Sequence, residues 1–542
     1  MTSPNLSAPP RQTPATSRLP AALLDPSAYP HRPDRVELRE THISWVFLAG
    51  DYAYKVKKPV VLPFLDYGTV QRRRACCAEE VRVNRRLAPS VYHGLVSLVP
   101  HGPDGLVIAP EQDPRAVEYA VEMRRYNEAG TLAAALTTGQ ANDGDLGAVG
   151  ARLARFHAGL PAEESTQATD RLAGVVEETL ATLTMTAAGL LEPARIAALV
   201  RFARAGLAGF APTLREREAA GLVRDGHGDL RAEHVLLGDH LEFVDAIDFD
   251  PTLRLADVAY DLAFLVMDVA RRDDRRARAL VRAYVASGGR AGDERLLAFL
   301  VFVRALVRIK IDLLRAAQLE GADRRGRLRR VDELMTLAER FAWRARLPRV
   351  LCVAGLAASG KSTLASALGS ASTRPVLSSD FLRKSRAGLQ PYEHAAPAHY
   401  AREVSREVYD GLGRAAATAA RDEGGAIVDA TFRHPDDVLA FQAASGAASR
   451  AEWIVCHAPP ELLLERARSR SDGNASDADP AVVAAQISRS RGALPLPRPP
   501  LTTLETVRSV PRLLDDLAAT LDAWLALGGA AMTDRPRAEA PT

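Results

Sequence analysis

The sequence contains few cysteines and no spacing that would pair them. Cys76 and Cys77 are adjacent, Cys352 and Cys456 stand far from them, and the 542 residues hold no Cys-x-x-Cys pattern. This arrangement argues against a disulfide framework and against a zinc site. It favours a protein of the reducing cytoplasm.

Long hydrophobic runs are also missing. The most apolar segment, residues 296–307, is interrupted by Arg304 and followed by Arg308 and Lys310, so it is too short and too charged to span a bilayer. We expect a buried helix there and no membrane partner. The N-terminus is rich in Pro, Ser and Thr and lacks the apolar core of a signal peptide, which predicts a disordered tail over residues 1–25.

An excess of either charge is lacking as well. The net charge is only +3 from 70 basic and 67 acidic residues, so total charge gives no reason to expect a nucleic-acid partner, and such a partner would need a local patch. The chain is too long for one hydrophobic core, which predicts two to four domains. With 47% hydrophobic and 25% charged residues, we expect globular, soluble domains.

The most specific motif is the segment 355–363, Gly-Leu-Ala-Ala-Ser-Gly-Lys-Ser-Thr, which fits the Walker A pattern GxxxxGK[ST]. An apolar strand-like run precedes it and a helical pattern follows it, as this motif requires. Backbone N–H groups of such a loop and the N-terminus of the next helix bind phosphate. We therefore expect ATP with Mg²⁺, where Lys361 reaches the β/γ-phosphates, Ser362 contacts the metal, and the nucleotide is bound by Gly355, Ala358, Ser359, Gly360, Lys361, Ser362 and Thr363.

The first 340 residues change from strand-like to helical periodicity. Alternating apolar residues over 35–57 predict a small antiparallel meander, and a polar helix is expected at about 71–87. After residue 130 the pattern is helical, except for one strand-rich island at 222–249. This change of pattern predicts a β-rich lobe joined to an α-rich lobe.

The island carries two acidic loops beside short apolar strands. The first reads His227-Gly-Asp229 and continues to His234, and the second reads Ile247-Asp248-Phe249. Two such loops, 15 to 20 residues apart, suit a kinase, in which one Asp accepts the proton of the acceptor hydroxyl and the other holds Mg²⁺.

At these motifs the chain resembles the aminoglycoside phosphotransferase-like branch of the protein-kinase fold, over about residues 30 to 340. The resemblance implies an α+β bilobal kinase-like domain with Asp229 as the catalytic residue that accepts the acceptor proton and Asp248 as a metal ligand. It also implies that Lys55 pairs with ATP and with Glu80, for which Glu79 is a rival, and that residues 118–123 form the adenine hinge.

The chain departs from that family at two places. His234 stands at the metal-ligand position where the family has Asn, although Mg²⁺ prefers oxygen to imidazole. The family's glycine-rich loop is missing, and residues 41–44 would take its place. An N-terminal pseudokinase that regulates the other half is therefore an alternative to an active kinase.

Several nearby residues are given structural roles. Lys57 and Lys58 are interpreted as part of a solvated face. Asp257 and Asp261, four residues apart, are expected to cap a helix or brace a loop. His227 is expected to brace its loop by hydrogen bonding.

Beyond residue 346 strands and helices alternate, which predicts an α/β P-loop NTPase domain with a parallel sheet. We place a kinase-like domain at 26–346, a P-loop kinase domain at 347–526 and a second disordered tail at 527–542. Ligands bind at the carboxyl ends of parallel strands, and Asp380 and Asp429 fall at such ends. Asp429 is the candidate for the acidic residue that orders Mg²⁺. Asp380 is the candidate for a residue that binds the acceptor or acts as a general base, with a helix cap as the alternative.

A basic helix and loop near residue 470 suit a lid. Arg466 and Arg470 would close on the phosphate, with a solvated basic face as the alternative. The segments GLAASGKST, SSDFLRK, VDATF and SDADP resemble the P-loop small-molecule kinases, a group that includes gluconate kinases, polynucleotide kinase domains and zeta-type toxins.

These resemblances imply an ATP-dependent phosphotransferase that acts on the hydroxyl of a small molecule. A competing reading is a kinase that acts on a nucleic-acid end. It would need a basic channel, for which Arg383, Lys384 and Arg386 are the only indication.

Overall fold

A computed structural model describes residues 14–62, 65–163, 167–238, 240–446, 450–469, 476–489 and 494–528. In this part of the chain, no helix combines the length and the apolar character that crossing a bilayer requires. The apolar segment at 296–307 lies within the buried helix Glu294–Ala316, as predicted.

Seventeen strands are formed by the described residues. They are β1 (Val36–Glu40), β2 (Ser44–Ala49), β3 (Tyr52–Lys57), β4 (Val61–Leu62), β5 (Leu65–Asp66), β6 (Tyr92–His101), β7 (Gly105–Pro110), β8 (Glu118–Arg124), β9 (Val223–Asp225), β10 (Val235–Leu236), β11 (Glu242–Phe243), β12 (Leu255–Asp257), β13 (Val350–Ala354), β14 (Val376–Ser378), β15 (Ala426–Asp429), β16 (Ala451–His457) and β17 (Thr502–Glu505).

The same ranges contain seventeen α-helices. They are α1 (Pro14–Leu23), α2 (Val70–Arg85), α3 (Leu132–Thr137), α4 (Asp143–Gly159), α5 (Ala168–Thr186), α6 (Pro193–Ala219), α7 (Val258–Arg272), α8 (Asp274–Ala286), α9 (Glu294–Ala316), α10 (Gly321–Arg346), α11 (Lys361–Ser372), α12 (Ser379–Arg386), α13 (Arg402–Asp422), α14 (Pro435–Ser445), α15 (Pro460–Arg468), α16 (Pro480–Arg489) and α17 (Val510–Ala526).

The chain forms two compact units that are not continuous in sequence. The first consists of the residues up to Ala168 with Glu216–Ala291, and the second of Thr169–Arg215 with the residues from Gly292 onward. The predicted break between a helix and the phosphate-loop strand does fall between α10 and β13. The linear division at 346/347 nevertheless does not describe the compact units, because α5, most of α6, α9 and α10 lie in the second unit.

Specific contacts explain why these helices belong to the second unit. Helix α10 packs on both α11 and α17. At its last residue, Arg346 Nε lies 2.7 Å from Asp522 Oδ1 on α17, and the guanidinium lies 4.3 Å from the centre of the Phe202 ring on α6. Arg201 of α6 pairs with the same Asp522, at 3.0 Å. The second unit thus depends on helices that precede the P-loop segment by up to about 180 residues.

The first unit is built on a six-stranded antiparallel sheet with the order β1-β2-β3-β8-β6-β7. Its first three strands form the predicted meander, with Val46 opposite Lys55 across β2 and β3. Helix α2 packs on β8 and β6 and occupies the position predicted for the polar helix.

The predicted tail at residues 1–25 is wrong for residues 14–25. Residues 14–23 form α1, and Leu19 and Leu23 are buried in the cluster that contains Tyr29 and Trp45. The Tyr29 hydroxyl donates to the carbonyl oxygen of Leu23 at 2.7 Å. Two leucines four residues apart can bury on the sheet face, and this apolar contact outweighs a Pro-rich composition. Residues 1–13 and 529–542 of the two predicted tails lie outside the described residues.

Short antiparallel pairs hold the acidic loops of the first unit, β9 with β12 and β10 with β11. Asp257 caps α7 by accepting the N–H of Ala259 at 2.7 Å. Asp261, one turn into α7, accepts the backbone N–H groups of His227 and Gly228 at 2.8 and 2.9 Å. The predicted cap and loop brace are therefore confirmed.

The second unit contains five parallel strands in the order β14-β15-β13-β16-β17. All five residues of β13 are buried, which is typical of a strand covered by helices on both faces. One face packs around Trp453 and Phe432, and the other around Leu351 and Trp524. The predicted two-domain fold class is confirmed, with an antiparallel kinase-like sheet and a parallel P-loop sheet.

Candidate functional site

The first unit contains a cleft of about 640 Å³ beside its sheet. Apolar side chains from the sheet, such as Val46 and Ala53, line one part, and Lys55 and Asp245 line a charged part. The segment from Met123 to Glu128 forms another wall. An apolar pocket with charged groups converging at one side suits a ligand with a flat ring and phosphates.

The predicted hinge residues 118–123 form most of β8, a central strand. Glu118 at its start is buried, and its Oε2 accepts hydrogen bonds from Nε and Nη2 of Arg73 at 2.9 and 2.6 Å. The backbone that lines the cleft comes immediately afterwards, at residues 123–128. The candidate hinge therefore lies at the C-terminal end of the predicted segment and just beyond it.

Lys55 on β3 contacts Glu80 on α2, with Nζ 2.8 Å from Oε1. The rival, Glu79, instead binds Arg82 and Arg254. Of the two predicted partners, the structure therefore places Glu80 on the cleft lysine.

The interpretation of Lys57 as part of a solvated face is wrong. Its side chain is 1% exposed, and Nζ contacts Glu80 Oε2 at 2.6 Å and also Asp248. Burial by itself lowers the pKa of Lys57, but the carboxylates of Glu80 and Asp248 more than offset this and raise it above its ordinary value. Lys58, by contrast, is only partly buried and pairs with Glu40. Because side chains alternate along a strand, Lys57 lies on the same face of β3 as Lys55. The sequence does not indicate which two carboxylates pair with it.

Asp248, the predicted metal ligand, is therefore committed to a buried ion pair and does not line the cleft. The carboxylate that does so is Asp245, three residues earlier, with Oδ1 3.4 Å from Lys55 Nζ. Lys55 holds the pKa of Asp245 below its usual range. Asp245 has φ +63°, so the chain turns sharply and aims this side chain into the cleft. Sequence reasoning missed it, although it follows a short apolar strand as Asp380 and Asp429 do.

The catalytic-loop candidates Asp229 and His234 lie close to Asp245. His234 Nδ1 lies 2.8 Å from the carbonyl oxygen of Asp229, and Nε2 lies 3.7 Å from Asp245 Oδ2. His227 is buried, and its Nε2 donates to the carbonyl oxygen of Val244 at 2.9 Å, which confirms its bracing role. Burial lowers the pKa of His227 to about 4.

The predicted substitute for a glycine-rich loop is the turn between β1 and β2. Thr41 closes it by accepting the N–H of Ser44 at 2.9 Å, while the Thr41 N–H donates to the Ser44 carbonyl oxygen at 2.9 Å. Thr41 and Arg39 line the cleft, and Arg39 pairs with Glu128 of the opposite wall.

In the second unit, the phosphate loop joins β13 to α11 through three residues with positive φ. These are Gly355 (+149°), Ala358 (+64°) and Gly360 (+81°). A Cβ at Gly355 would lie 2.4 Å from the carbonyl oxygen of Cys456, which no side chain tolerates. The loop thus requires glycine there, as the motif predicts.

A cavity of about 480 Å³ adjoins this loop. Five residues predicted to bind the nucleotide through the loop line it, namely Ala358, Gly360, Lys361, Ser362 and Thr363. Arg466 and Thr506 line it as well. Arg466 donates to Thr506 Oγ1 at 3.1 Å and to the carbonyl oxygen of Ala358 at 3.4 Å. It is therefore a fixed part of the site, and the alternative of a solvated face does not hold for it. Arg470 lies outside the described residues.

Two buried polar atoms near the loop have no hydrogen-bond partner within the described ranges. They are Ser359 Oγ and Asp429 Oδ1. Asp429 ends β15, opposite Val353 of β13, and is only 6% exposed. Unpartnered oxygens beside a phosphate loop fit a Mg²⁺–nucleotide, and Ser362 and Asp429 could supply the oxygen ligands that Mg²⁺ prefers. No group of three or more His, Cys, Asp or Glu residues suited to a metal occurs in the part of the chain that the structure describes, so phosphate oxygens and water would complete such a shell.

Asp380 lies on the same edge of the sheet. Strand β14 ends at Ser378, directly opposite Asp429, and Asp380 follows two residues later in the first turn of α12. The N-cap of α12 is Ser378, and no side chain caps it, so the capping alternative for Asp380 is not observed. Burial raises the pKa of Asp380, Asp429 adds to the increase, and Lys361 opposes it.

The three cations that suggested a basic channel are all engaged. Lys384 is buried and lies 3.0 Å from Asp477, Arg383 donates to the carbonyl oxygen of His399 at 2.7 Å, and Arg386 pairs with Glu407 at 2.6 Å.

Comparisons with known proteins match a region in each half of the chain. A family model described as the Phosphotransferase enzyme family matches residues 79–299, and one described as an AAA domain matches residues 350–492. The chain thus joins a phosphotransferase-family region to a P-loop kinase-like region, which confirms both predicted resemblances.

Individual proteins similar to the chain cover either most of it or one region. An uncharacterized protein of Mycobacterium tuberculosis is 29% identical over 468 residues, which are 84% of this chain and 90% of that protein. A choline/ethanolamine kinase family protein from Mesorhizobium loti aligns with 59% of this chain and 95% of its own, with 17% identity and a TM-score of 0.35. A gluconokinase from Sinorhizobium meliloti aligns with 34% of this chain and 98% of its own, with 17% identity and a TM-score of 0.24.

Proposed function

We propose that this chain is an ATP- and Mg²⁺-dependent kinase whose second unit transfers the γ-phosphoryl group to a hydroxyl of a small molecule. The observation that carries the proposal is the convergence of Lys361, Asp380 and Asp429 at one edge of the parallel sheet. Lys361 would neutralise charge that develops on the phosphate, Asp429 would order the metal, and Asp380 would orient the acceptor hydroxyl.

We favour a small acceptor over a nucleic-acid end because the nearby cations are already paired with other groups. Single-stranded nucleic acid is bound by free cations and by aromatic rings on which bases stack. Here Lys384 and Arg386 are neutralised by Asp477 and Glu407, and Arg383 lies 4.5 Å from the centre of the Tyr400 ring, so that ring is already covered.

For the first unit, the cleft beside Lys55 supports nucleotide binding. Lys55, Glu80 and Asp245 supply the cation, its partner and a carboxylate at the charged end, so we propose Asp245 rather than Asp248 as the carboxylate that faces the nucleotide. A pseudokinase remains the second candidate for this unit, because His234 stands in a metal-ligand position and Arg231 is paired with Asp229, at 3.1 Å.

The test is a screen for ADP release by the full chain with ATP, Mg²⁺ and a panel of sugars, amino alcohols and short oligonucleotides. Separating the halves at residue 347 is unsuitable, because α5, most of α6, α9 and α10 belong to the second unit. The Asp229→Asn and Asp429→Asn variants assign any activity found to one unit. Transfer only to oligonucleotide ends would contradict the proposed acceptor class.

A further inference from the structure

The guanidinium of Arg231 occupies the centre of the catalytic loop in the first unit. Its Nε lies 3.2 Å and its Nη2 3.1 Å from Asp229 Oδ2, and Nη2 also lies 3.1 Å from His234 Nε2. Nη1 pairs with Glu233. The side chain is 14% exposed, so this is a partly enclosed cation that three groups hold in place.

The orientation of His234 makes this arrangement specific. Because Nδ1 faces the carbonyl oxygen of Asp229 at 2.8 Å, the ring hydrogen belongs on Nδ1 and the lone pair on Nε2. That lone pair accepts the hydrogen bond from Arg231. The ring is further fixed by stacking on His227, with centroids 5.9 Å apart and planes 18° from parallel. The nitrogen that would coordinate a metal at this position is thus already used by a guanidinium.

The cation is connected to the nucleotide cleft through His234 and Asp245. His234 Nε2 is 3.7 Å from Asp245 Oδ2, and Asp245 lines the cleft beside Lys55. Charges therefore alternate from the cleft inward as Lys55, Asp245, Arg231 and Asp229. A divalent ion between Asp245 and His234 would meet the positive charge of Arg231 and would gain no imidazole ligand.

We infer that Arg231 is a built-in cation that replaces a divalent metal in the first unit, so that this cleft binds a nucleoside diphosphate or triphosphate without Mg²⁺. The inference rests on the proposed nucleotide cleft and adds its metal requirement. A guanidinium keeps its charge at every physiological pH and forms strong hydrogen bonds with phosphate oxygens, which makes it chemically suited to that role.

The experiment measures ADP binding to the full chain by calorimetry, in excess EDTA and in excess Mg²⁺. The Lys361→Ala variant serves as the background, so that the phosphate loop of the second unit does not contribute, and loss of the signal in Lys55→Ala assigns it to the first unit. We expect the two affinities to agree within about threefold. Arg231→Gln should weaken binding in EDTA by about tenfold or more, and Mg²⁺ should restore part of it.

Matched variants keep the result interpretable. Arg35→Gln, which alters an exposed pair with Glu37, should leave binding in EDTA unchanged. Arg231→Lys retains the charge and should bind ADP in EDTA within about threefold of the background. If thermal melting shows that Arg231→Gln is unfolded, Arg231→Met takes its place as the variant without the charge. Manganese electron paramagnetic resonance gives an independent readout, because the background with ADP should show no protein-bound Mn²⁺ from this cleft.

The results that would contradict the inference differ from those that would contradict the proposed nucleotide cleft. Binding that requires Mg²⁺, or a strong Mn²⁺ signal that Lys55→Ala removes, would overturn the inference and leave the nucleotide cleft intact. Unchanged metal-free binding in Arg231→Gln would also overturn it. Absence of binding in both buffers would overturn the proposed cleft itself.

Discussion

Glu80 Oε2 lies 2.6 Å from Lys57 Nζ, while the other oxygen of the same carboxylate binds Lys55. One acidic side chain of α2 therefore serves a lysine that lines the cleft and a second lysine that is buried. Asp248 is the second carboxylate that pairs with the buried Lys57. We therefore expect the buried pairs of Lys57 to contribute to stability and the cleft-facing Lys55 to contribute to ligand binding.

We predict that Lys57→Gln destabilises the first unit by about 3 kcal/mol or more, because removing one partner leaves buried carboxylates uncompensated. Urea denaturation followed by circular dichroism measures the free energy of unfolding. Lys58→Gln is the control, and its pair with the exposed Glu40 is expected to contribute about 1 kcal/mol or less. Equal effects of the two substitutions would contradict the buried network.

Gly355→Ala should disrupt the phosphate loop. The added Cβ would lie 2.4 Å from the carbonyl oxygen of Cys456, so either β16 or the loop must move. We expect a lower melting temperature and loss of ATP stabilisation in a thermal-shift assay. Gly139→Ala is the matched control, because Gly139 also has positive φ (+74°) but a Cβ there meets no atom within 4 Å. It should cost only the backbone strain, about 1 kcal/mol, and should leave ATP stabilisation intact.

Lys361→Ala should abolish ATP turnover by the second unit, since its ammonium is placed to neutralise charge on the β/γ-oxygens. ADP release by the full chain, in an Asp229→Asn background, measures that activity alone. Lys310→Ala, which removes a pair with the exposed Glu178 in the same unit, is the control and should retain turnover. Unchanged turnover in Lys361→Ala would remove the phosphate loop from the mechanism.

Much of this could be predicted from the sequence where the signal is local. The phosphate loop requires glycine at positions that a single close contact explains, and strand β13 is apolar throughout because helices cover both of its faces. Periodicity likewise predicts the β1–β2–β3 meander. These features depend on neighbours in the chain or on one face of one element.

The features that sequence reasoning missed depend on distant residues. Lys57 and Lys58 are adjacent and chemically identical, and only the positions of Glu80 and Asp248 decide which one is buried. Asp245 and Asp248 both follow the same short strand, and the positive φ of Asp245 decides which carboxylate enters the cleft. The extent of the second unit depends on Asp522, which pairs with Arg201 and Arg346 from 321 and 176 residues away.

Asp380→Asn should lower transfer to the true acceptor by roughly 10²-fold or more while ATP affinity stays close to wild type, because Asn cannot accept the hydroxyl proton. The pH profile adds a second readout. The carboxylate accepts a proton only when ionised, and its raised pKa places the loss of activity at a higher pH than for an ordinary Asp. Wild-type transfer should therefore fall as pH is lowered towards that pKa, whereas the residual activity of Asp380→Asn should lack this limb. Full retention of transfer would place the acceptor elsewhere.

The last prediction separates the two acidic residues that follow β11 in the first unit. Asp245→Asn removes a half-exposed carboxylate that lines the cleft, so ADP affinity should change by about tenfold or more while the melting temperature stays close to wild type. The direction of the change in ADP affinity shows which role Asp245 has. Affinity should rise in EDTA, because a negative charge that would face the phosphates is lost. Asp248→Asn should instead affect stability and leave binding nearly unchanged. Because it removes one of the carboxylates that pair with the buried Lys57, the free energy of unfolding should fall by about 3 kcal/mol. The ADP affinity of the protein that remains folded should change little. Calorimetry and denaturation of both variants in the Lys361→Ala background provide the comparison. If Asp248→Asn alters affinity and Asp245→Asn does not, Asp248 and not Asp245 is the carboxylate that faces the nucleotide.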